Sequence, residues 1–73
     1  MSINEYIRTK AIQYRNCRGL TQELLADNMG VHSSFISQLE SGRKKYSLKH
    51  INQMARIFNI SPKEFLPDQF IEE

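Results

Sequence analysis

Residues 20–42, Leu20-Thr21-Gln22-Glu23-Leu24-Leu25-Ala26-Asp27-Asn28-Met29-Gly30-Val31-His32-Ser33-Ser34-Phe35-Ile36-Ser37-Gln38-Leu39-Glu40-Ser41-Gly42, decide the fold of this 73-residue chain. Thr21 is a good N-cap, and the Leu25-Ala26 pair behind it turns to one side of a helix that ends near Met29-Gly30. A second helix begins after Val31. In it Phe35, Ile36 and Leu39 share one face, and Gly42 closes it. His32 stands where the cap of this second helix belongs, although histidine is a weaker cap than Ser or Asp.

Projected at a helical period, the side opposite Phe35, Ile36 and Leu39 carries Ser34, Ser37 and Ser41, flanked by Ser33 and Gln38. This face has no acid, no bulky apolar residue and no long cation. Serine is a mediocre helix former, so helix propensity does not explain the choice. A face meant only for water favours Lys and Glu. Short hydroxyls and an amide instead let a helix backbone come close to a polar surface. Gln pairs bidentately with adenine, and Ser bonds several base edges. The face is suited to the floor of a DNA groove.

On either side of these two helices the same period recurs. Ile3, Ile7, Ala11 and Tyr14 line one side of a first helix, stopped by Gly19. Ser47 caps a fourth helix with the apolar stripe Leu48, Ile51, Met54, Ala55 and Phe58. Ser61-Pro62-Lys63-Glu64 has the pattern of a capping box with proline at the first helical position, which predicts a short fifth helix before Pro67. No stretch alternates at period two. The expectation is a compact, all-α, five-helix domain over residues 1–66, with 67–73 as a tail that frays or contacts a partner.

Size and charge narrow the function. A chain this short buries only about 60% of its unfolded surface, and its lone Cys17 allows no internal disulfide, so close helix packing, assisted by oligomerisation, is expected to carry stability. One thiol suits a reducing cytoplasm. No apolar run nears the ~18 residues of a membrane span, and no metal-ligand spacing of Cys and His occurs. Residues 1–63 hold all ten Lys and Arg against Glu5, Glu23, Asp27 and Glu40; residues 64–73 hold four acids and no base. A basic body of this kind suits a polyanion.

The quoted stretch closely resembles the lambda-repressor/Cro-like (XRE) helix-turn-helix family, most tellingly in Thr21-Gln22, Ala26…Gly30-Val31, Ile36-Ser37 and Leu39-Glu40-x-Gly42. The resemblance continues through residues 48–55 and 59–61 and covers about residues 3–66. It implies a five-helix bundle in which helix 2 (about 21–28) crosses the DNA backbone and helix 3 (about 32–41) enters the major groove. It further implies that Ser33, Ser34, Ser37 and Gln38 read bases, and that Gln22 bonds phosphate and braces the start of helix 3. His32, departing from the usual cap, then faces phosphate.

Beyond Gly42, Arg43-Lys44-Lys45-Tyr46 is a basic loop beside the reading helix. With Ser41, Lys49 and the amides at the start of helix 4, it is placed to clasp one DNA strand. Family members often pair the arginine matching Arg15 with the glutamate matching Glu40, which makes these two a structural ion pair. Tyr14, Phe35 and Phe58 are expected in the core, and Cys17 as a small packed residue.

One such helix reads few base pairs, so the implied protein is a homodimer on a two-fold symmetric operator in double-stranded DNA. Phe65, Leu66, Phe70 and Ile71 are the candidate dimer surface. The implied function is that of a cytoplasmic transcriptional regulator: a repressor, or a controller of phage, plasmid or restriction–modification type. Two alternatives stay open. One is an antitoxin that represses its own operon while gripping a toxin, or more generally a regulator met by a second protein such as an antirepressor. The other is an interaction module that keeps the fold without DNA. An enzyme is disfavoured, because the chain has no carboxylate pair, catalytic triad or phosphate-binding glycine loop, and His32 and His50 stand apart. Neither cofactor nor metal is expected.

Overall fold

The computed structural model describes residues 1–71 as a bundle of four α-helices: α1 Ile3–Cys17, α2 Gln22–Met29, α3 Ser33–Glu40 and α4 Leu48–Phe58. A single 3₁₀ turn, Pro62–Phe65, follows, and no strand occurs among the described residues. Each start has a chemical cause. Thr21 Oγ1 accepts from the Leu24 amide, and Ser47 Oγ accepts from the His50 amide. At α1, Ser2 accepts from the Glu5 amide while the Glu5 carboxylate accepts from the Ser2 amide, a reciprocal capping box.

The turn between α2 and α3 depends on Gly30. Its φ of 70° lies in the left-handed region, and it lets the Val31 amide reach back to the Ala26 carbonyl at 3.0 Å. Asn59 ends α4 the same way, with φ 59° and Ile60 N–H on the Ala55 carbonyl.

The core collects the inward stripes of all four helices: Ile7 and Ala11 from α1, Leu25, Ala26 and Met29 from α2, Ile36 and Leu39 from α3, and Ile51, Met54, Ala55 and Phe58 from α4. Phe65 completes it, fully buried. The Tyr14, Phe58 and Phe65 rings lie 6.1–6.3 Å apart, a separation at which aromatic edges and faces attract. The Arg18 guanidinium covers Tyr14 and Phe58 and donates to the Phe58 carbonyl at 2.9 Å, satisfying the end of α4.

Several expectations need correction. The fifth helix is only a 3₁₀ turn. Pro67 forces Leu66 into an extended conformation (ψ 146°), leaving four residues, too few for an α-helical ladder. Ser61 Oγ correspondingly bonds the Lys63 amide rather than closing a box with Glu64. Phe65 faces the core and is unavailable to a partner. Leu48, at the first position of α4, points off the end of the stripe and is 80% exposed. Cys17, in the last turn of α1, is exposed rather than packed, and Ile3 is 42% exposed at the other end of that helix. Residues 72 and 73 of the tail lie outside the described residues.

Candidate nucleic-acid interface

The outward face of α3 is open. Ser34 and Ser37 are exposed, as is Ser41 just beyond the helix, while Ser33 and Gln38 are half-buried. The face is exposed because Ile36 and Leu39, each 1% exposed, fix the opposite side in the core. Ser41 Oγ donates back to the Gln38 carbonyl at 3.2 Å. His32 caps the helix, its Nδ1 accepting from the Ser34 amide at 3.1 Å and meeting Ser34 Oγ at 2.9 Å.

Between this face and the start of α2 lies an open cleft of about 440 Å³, lined by Arg15, Thr21, Gln22, Glu23, Ser33, Ser34 and Ser37. The packing of α2 on α3 thus brings Gln22 and three of the four expected base-reading serines and amides together; Gln38 lies farther along the helix, outside the cleft. Behind the cleft, the Arg15 guanidinium grips Glu40 through Nε (2.7 Å) and Nη2 (3.0 Å) and donates Nη1 to the Leu20 carbonyl (2.6 Å). Gln22 Nε2 donates to the same Glu40 carboxylate at 3.1 Å. One carboxylate therefore ties α1, the first residue of α2 and the end of α3, and Arg15 adds the α1–α2 turn through Leu20. The bond from Gln22 fixes which end of its amide faces inward.

The basic loop is held as firmly. Gly42, at φ 84°, turns the chain so that the Arg43 and Lys44 amides both reach the Gln38 carbonyl (2.9 and 3.1 Å). Asn4 Oδ1, from the first turn of α1, accepts the Tyr46 amide at 3.0 Å. The Lys44 ammonium sits 5.2 Å above the Phe35 ring, whose other neighbour is the His50 ring at 4.9 Å. Arg43, Lys44, Lys45 and Lys49 are all exposed, so the cations are presented beside α3 on an ordered backbone.

Two titrating groups feel this packing. Burial, then the Glu40 carboxylate, pushes the Tyr46 phenol well above its ordinary value, with Arg8 and Arg15 opposing. Burial, then the Lys49 charge, lowers that of His50. No group of three or more His, Cys, Asp or Glu suited to a metal occurs among the described residues, and no described helix is long and apolar enough to cross a membrane.

Asn4 and the Gln22–Glu40 bond were not legible beforehand. The Asn4 contact spans 42 positions and the Gln22 contact 18, and no local pattern announces either.

Past the 3₁₀ turn, Leu66 is 44% exposed and Phe70 wholly so, and with Ile3 and Ile71 they border an open apolar groove of about 740 Å³.

Comparison with known proteins gives a consistent picture. Residues 12–65 match the helix-turn-helix family. The control protein C.SmaI of Serratia marcescens is 30% identical over 69 residues, covering 94% of this chain and 82% of that protein. An uncharacterised helix-turn-helix transcriptional regulator of Archaeoglobus fulgidus is 40% identical over 53 residues, 73% of this chain and 76% of its own length. Among solved structures, the restriction–modification controller protein C.AhdI of Aeromonas hydrophila superposes with a TM-score of 0.76 at 30% identity, over 84% of this chain and 92% of that one. The clp gene regulator ClgR of C. glutamicum shares the fold, with a TM-score of 0.80 at 23% identity over 89% and 84% of the two chains.

Proposed function

Because the chain belongs to the XRE-type helix-turn-helix family of DNA-binding transcription regulators, we propose that it is a homodimeric, controller-type regulator that binds a two-fold symmetric site in double-stranded DNA. The observation that carries this reading is the acid-free face of Ser33, Ser34, Ser37 and Gln38, turned outward beside an ordered loop of three cations. In the major groove these short groups reach base edges, while Arg43, Lys44, Lys45 and Lys49 meet phosphates on one flank. His32, at the start of α3, and Ser41, at its end, add phosphate contacts. Gln22 donates one amide hydrogen to Glu40 and keeps the other for a phosphate at the start of α2.

Likeness to the two control proteins C.SmaI and C.AhdI supports the controller type. The dimer rests on two arguments. A single α3 reads too few base pairs to choose one site in a genome, whereas two copies reading half-sites about 34 Å apart suffice. The groove bordered by Leu66, Phe70 and Ile71 leaves apolar surface that a second copy would cover. Phe65 does not belong to that surface, and its part is to hold the 3₁₀ turn beneath it.

Selection from a pool of random duplexes tests the proposal. A consensus with two-fold symmetry is expected, and binding that enriches no sequence would refute it.

A further inference from the structure

The contacts of His32 bear on where protons lie at the start of α3, and so on which bases Ser34 can recognise. Nδ1 of His32 accepts the Ser34 backbone N–H at 3.1 Å. A ring nitrogen that accepts a hydrogen bond carries no proton, so the ring hydrogen is on Nε2. The same Nδ1 lies 2.9 Å from Ser34 Oγ. With no proton on Nδ1, the hydroxyl is the donor in this contact, sharing the one Nδ1 lone pair with the amide. Serine has one hydroxyl hydrogen, and here it is committed inward.

Ser34 is nevertheless exposed on the side proposed to read DNA. Toward a base edge it then offers lone pairs alone. Serine is ordinarily ambivalent in the groove, donating to keto groups or accepting from amines. From this geometry we infer that Ser34 is a one-way reader, selective for an exocyclic amine, adenine N6 or cytosine N4, and that His32 is the positioning residue that sets its polarity. Ser33 and Ser37 have no such partner among the described residues and keep both capacities. The inference rests on the DNA reading proposed above and adds to it the chemistry of one contact. It also explains a histidine at this cap: Ser or Asp would cap the helix better, but imidazole adds an Nε2–H donor, on an exposed side chain, for a phosphate oxygen.

Base-analogue binding tests this, because each base pair shows an amine on one strand and a keto oxygen on the other, and a consensus alone does not separate them. The pair touched by Ser34 is the one whose preference disappears in Ser34→Ala. At that pair, the amine is deleted by placing purine for adenine or pyrimidin-2-one for cytosine. In separate duplexes the keto oxygen of the partner base is deleted instead. Amine deletion should weaken wild-type binding about fivefold, the worth of one neutral hydrogen bond, and leave Ser34→Ala unaffected. Keto deletion should affect both proteins equally. The reverse pattern, or a consensus that Ser34→Ala leaves intact, would overturn the assignment while sparing the DNA reading.

A second readout needs no DNA. Long-range proton–nitrogen NMR of the free wild-type protein should show His32 with its hydrogen on Nε2, and a hydrogen on Nδ1 would overturn the inference. Failure to enrich any sequence would instead strike at the DNA reading itself.

Discussion

Replacing Glu40 with alanine removes the group on which three segments converge. The carboxylate accepts two bonds from Arg15, at 2.7 and 3.0 Å, and one from Gln22 at 3.1 Å. The side chains of the pair are 13% and 9% exposed, so solvent can replace little of what is lost. Breaking a buried pair by deleting one partner costs about 3–5 kcal/mol, because a charge is left uncompensated, whereas an exposed pair is worth about 0–1 kcal/mol. Arg15 keeps its bond to the Leu20 carbonyl, which softens the loss. A cost of about 2–3 kcal/mol follows from placing the pair between these limits. In a domain of this size each kcal/mol shifts the melting temperature by roughly 4–8 °C, so Glu40→Ala should melt about 10–20 °C lower. Thermal unfolding followed by circular dichroism measures it, and a double-mutant cycle with Arg15→Met isolates the pair. An unchanged melting temperature, or single-variant effects that simply add, would refute the view of Glu40 as the joint between α1, α2 and α3.

Other outcomes follow from the same structure. Phe65→Ala empties a fully buried site against Tyr14 and Phe58 and should cost about 3–5 kcal/mol, enough in so small a domain to leave much of the chain unfolded at room temperature; a urea titration reads the loss. Tyr46 resists ionising in the fold, so its contribution is complete below the unfolded value of 10.0 and declines as pH rises above it, by up to about 1.4 kcal/mol per pH unit. Tyr46→Phe should remove that alkaline decline, seen by comparing melts of the two proteins from neutral pH to beyond 10. Lys44→Ala should weaken binding to all duplexes alike and reduce the log–log salt slope by about 0.9, while Gln38→Ala should relax preference at one or two base pairs per half-site with the slope unchanged.

Most of the architecture is written in local patterns. The Phe35/Ile36/Leu39 face, the Gly30 turn and the Thr21 and Ser47 caps each rest on chemistry within five residues, and each can be read from one short stretch. Ser2-Ile3-Asn4-Glu5 carries the same capping-box pattern as Ser61-Pro62-Lys63-Glu64, yet only the first forms. The difference lies downstream: α1 has fifteen residues over which to propagate, whereas Pro67 stops the second after four. Leu48 shows the opposite limit. Periodicity counted it among the stripe, but position at a helix end, where no neighbour lies beyond, decides exposure.

The site was legible as a face rather than as a set of bonds. Spacing brings Ser34 and Ser37 to one side of α3. That Gln22 meets Glu40, or that Asn4 anchors the loop at Tyr46, depends on how helices distant in sequence pack. The partner of Arg15, Glu40, lies 25 positions away and is announced by the family resemblance rather than by any local pattern.

The claim on which the rest depends is that α3 presents Ser34, Ser37 and Gln38 to the major groove. Dimethyl sulfate footprinting on the selected site tests it directly, since guanine N7 lies in the major groove and adenine N3 in the minor. The account predicts protection of guanine N7 in two symmetric patches about one helical turn apart, lost at individual positions in Gln38→Ala. Protection confined to adenine N3, with every guanine N7 still reactive, would contradict it.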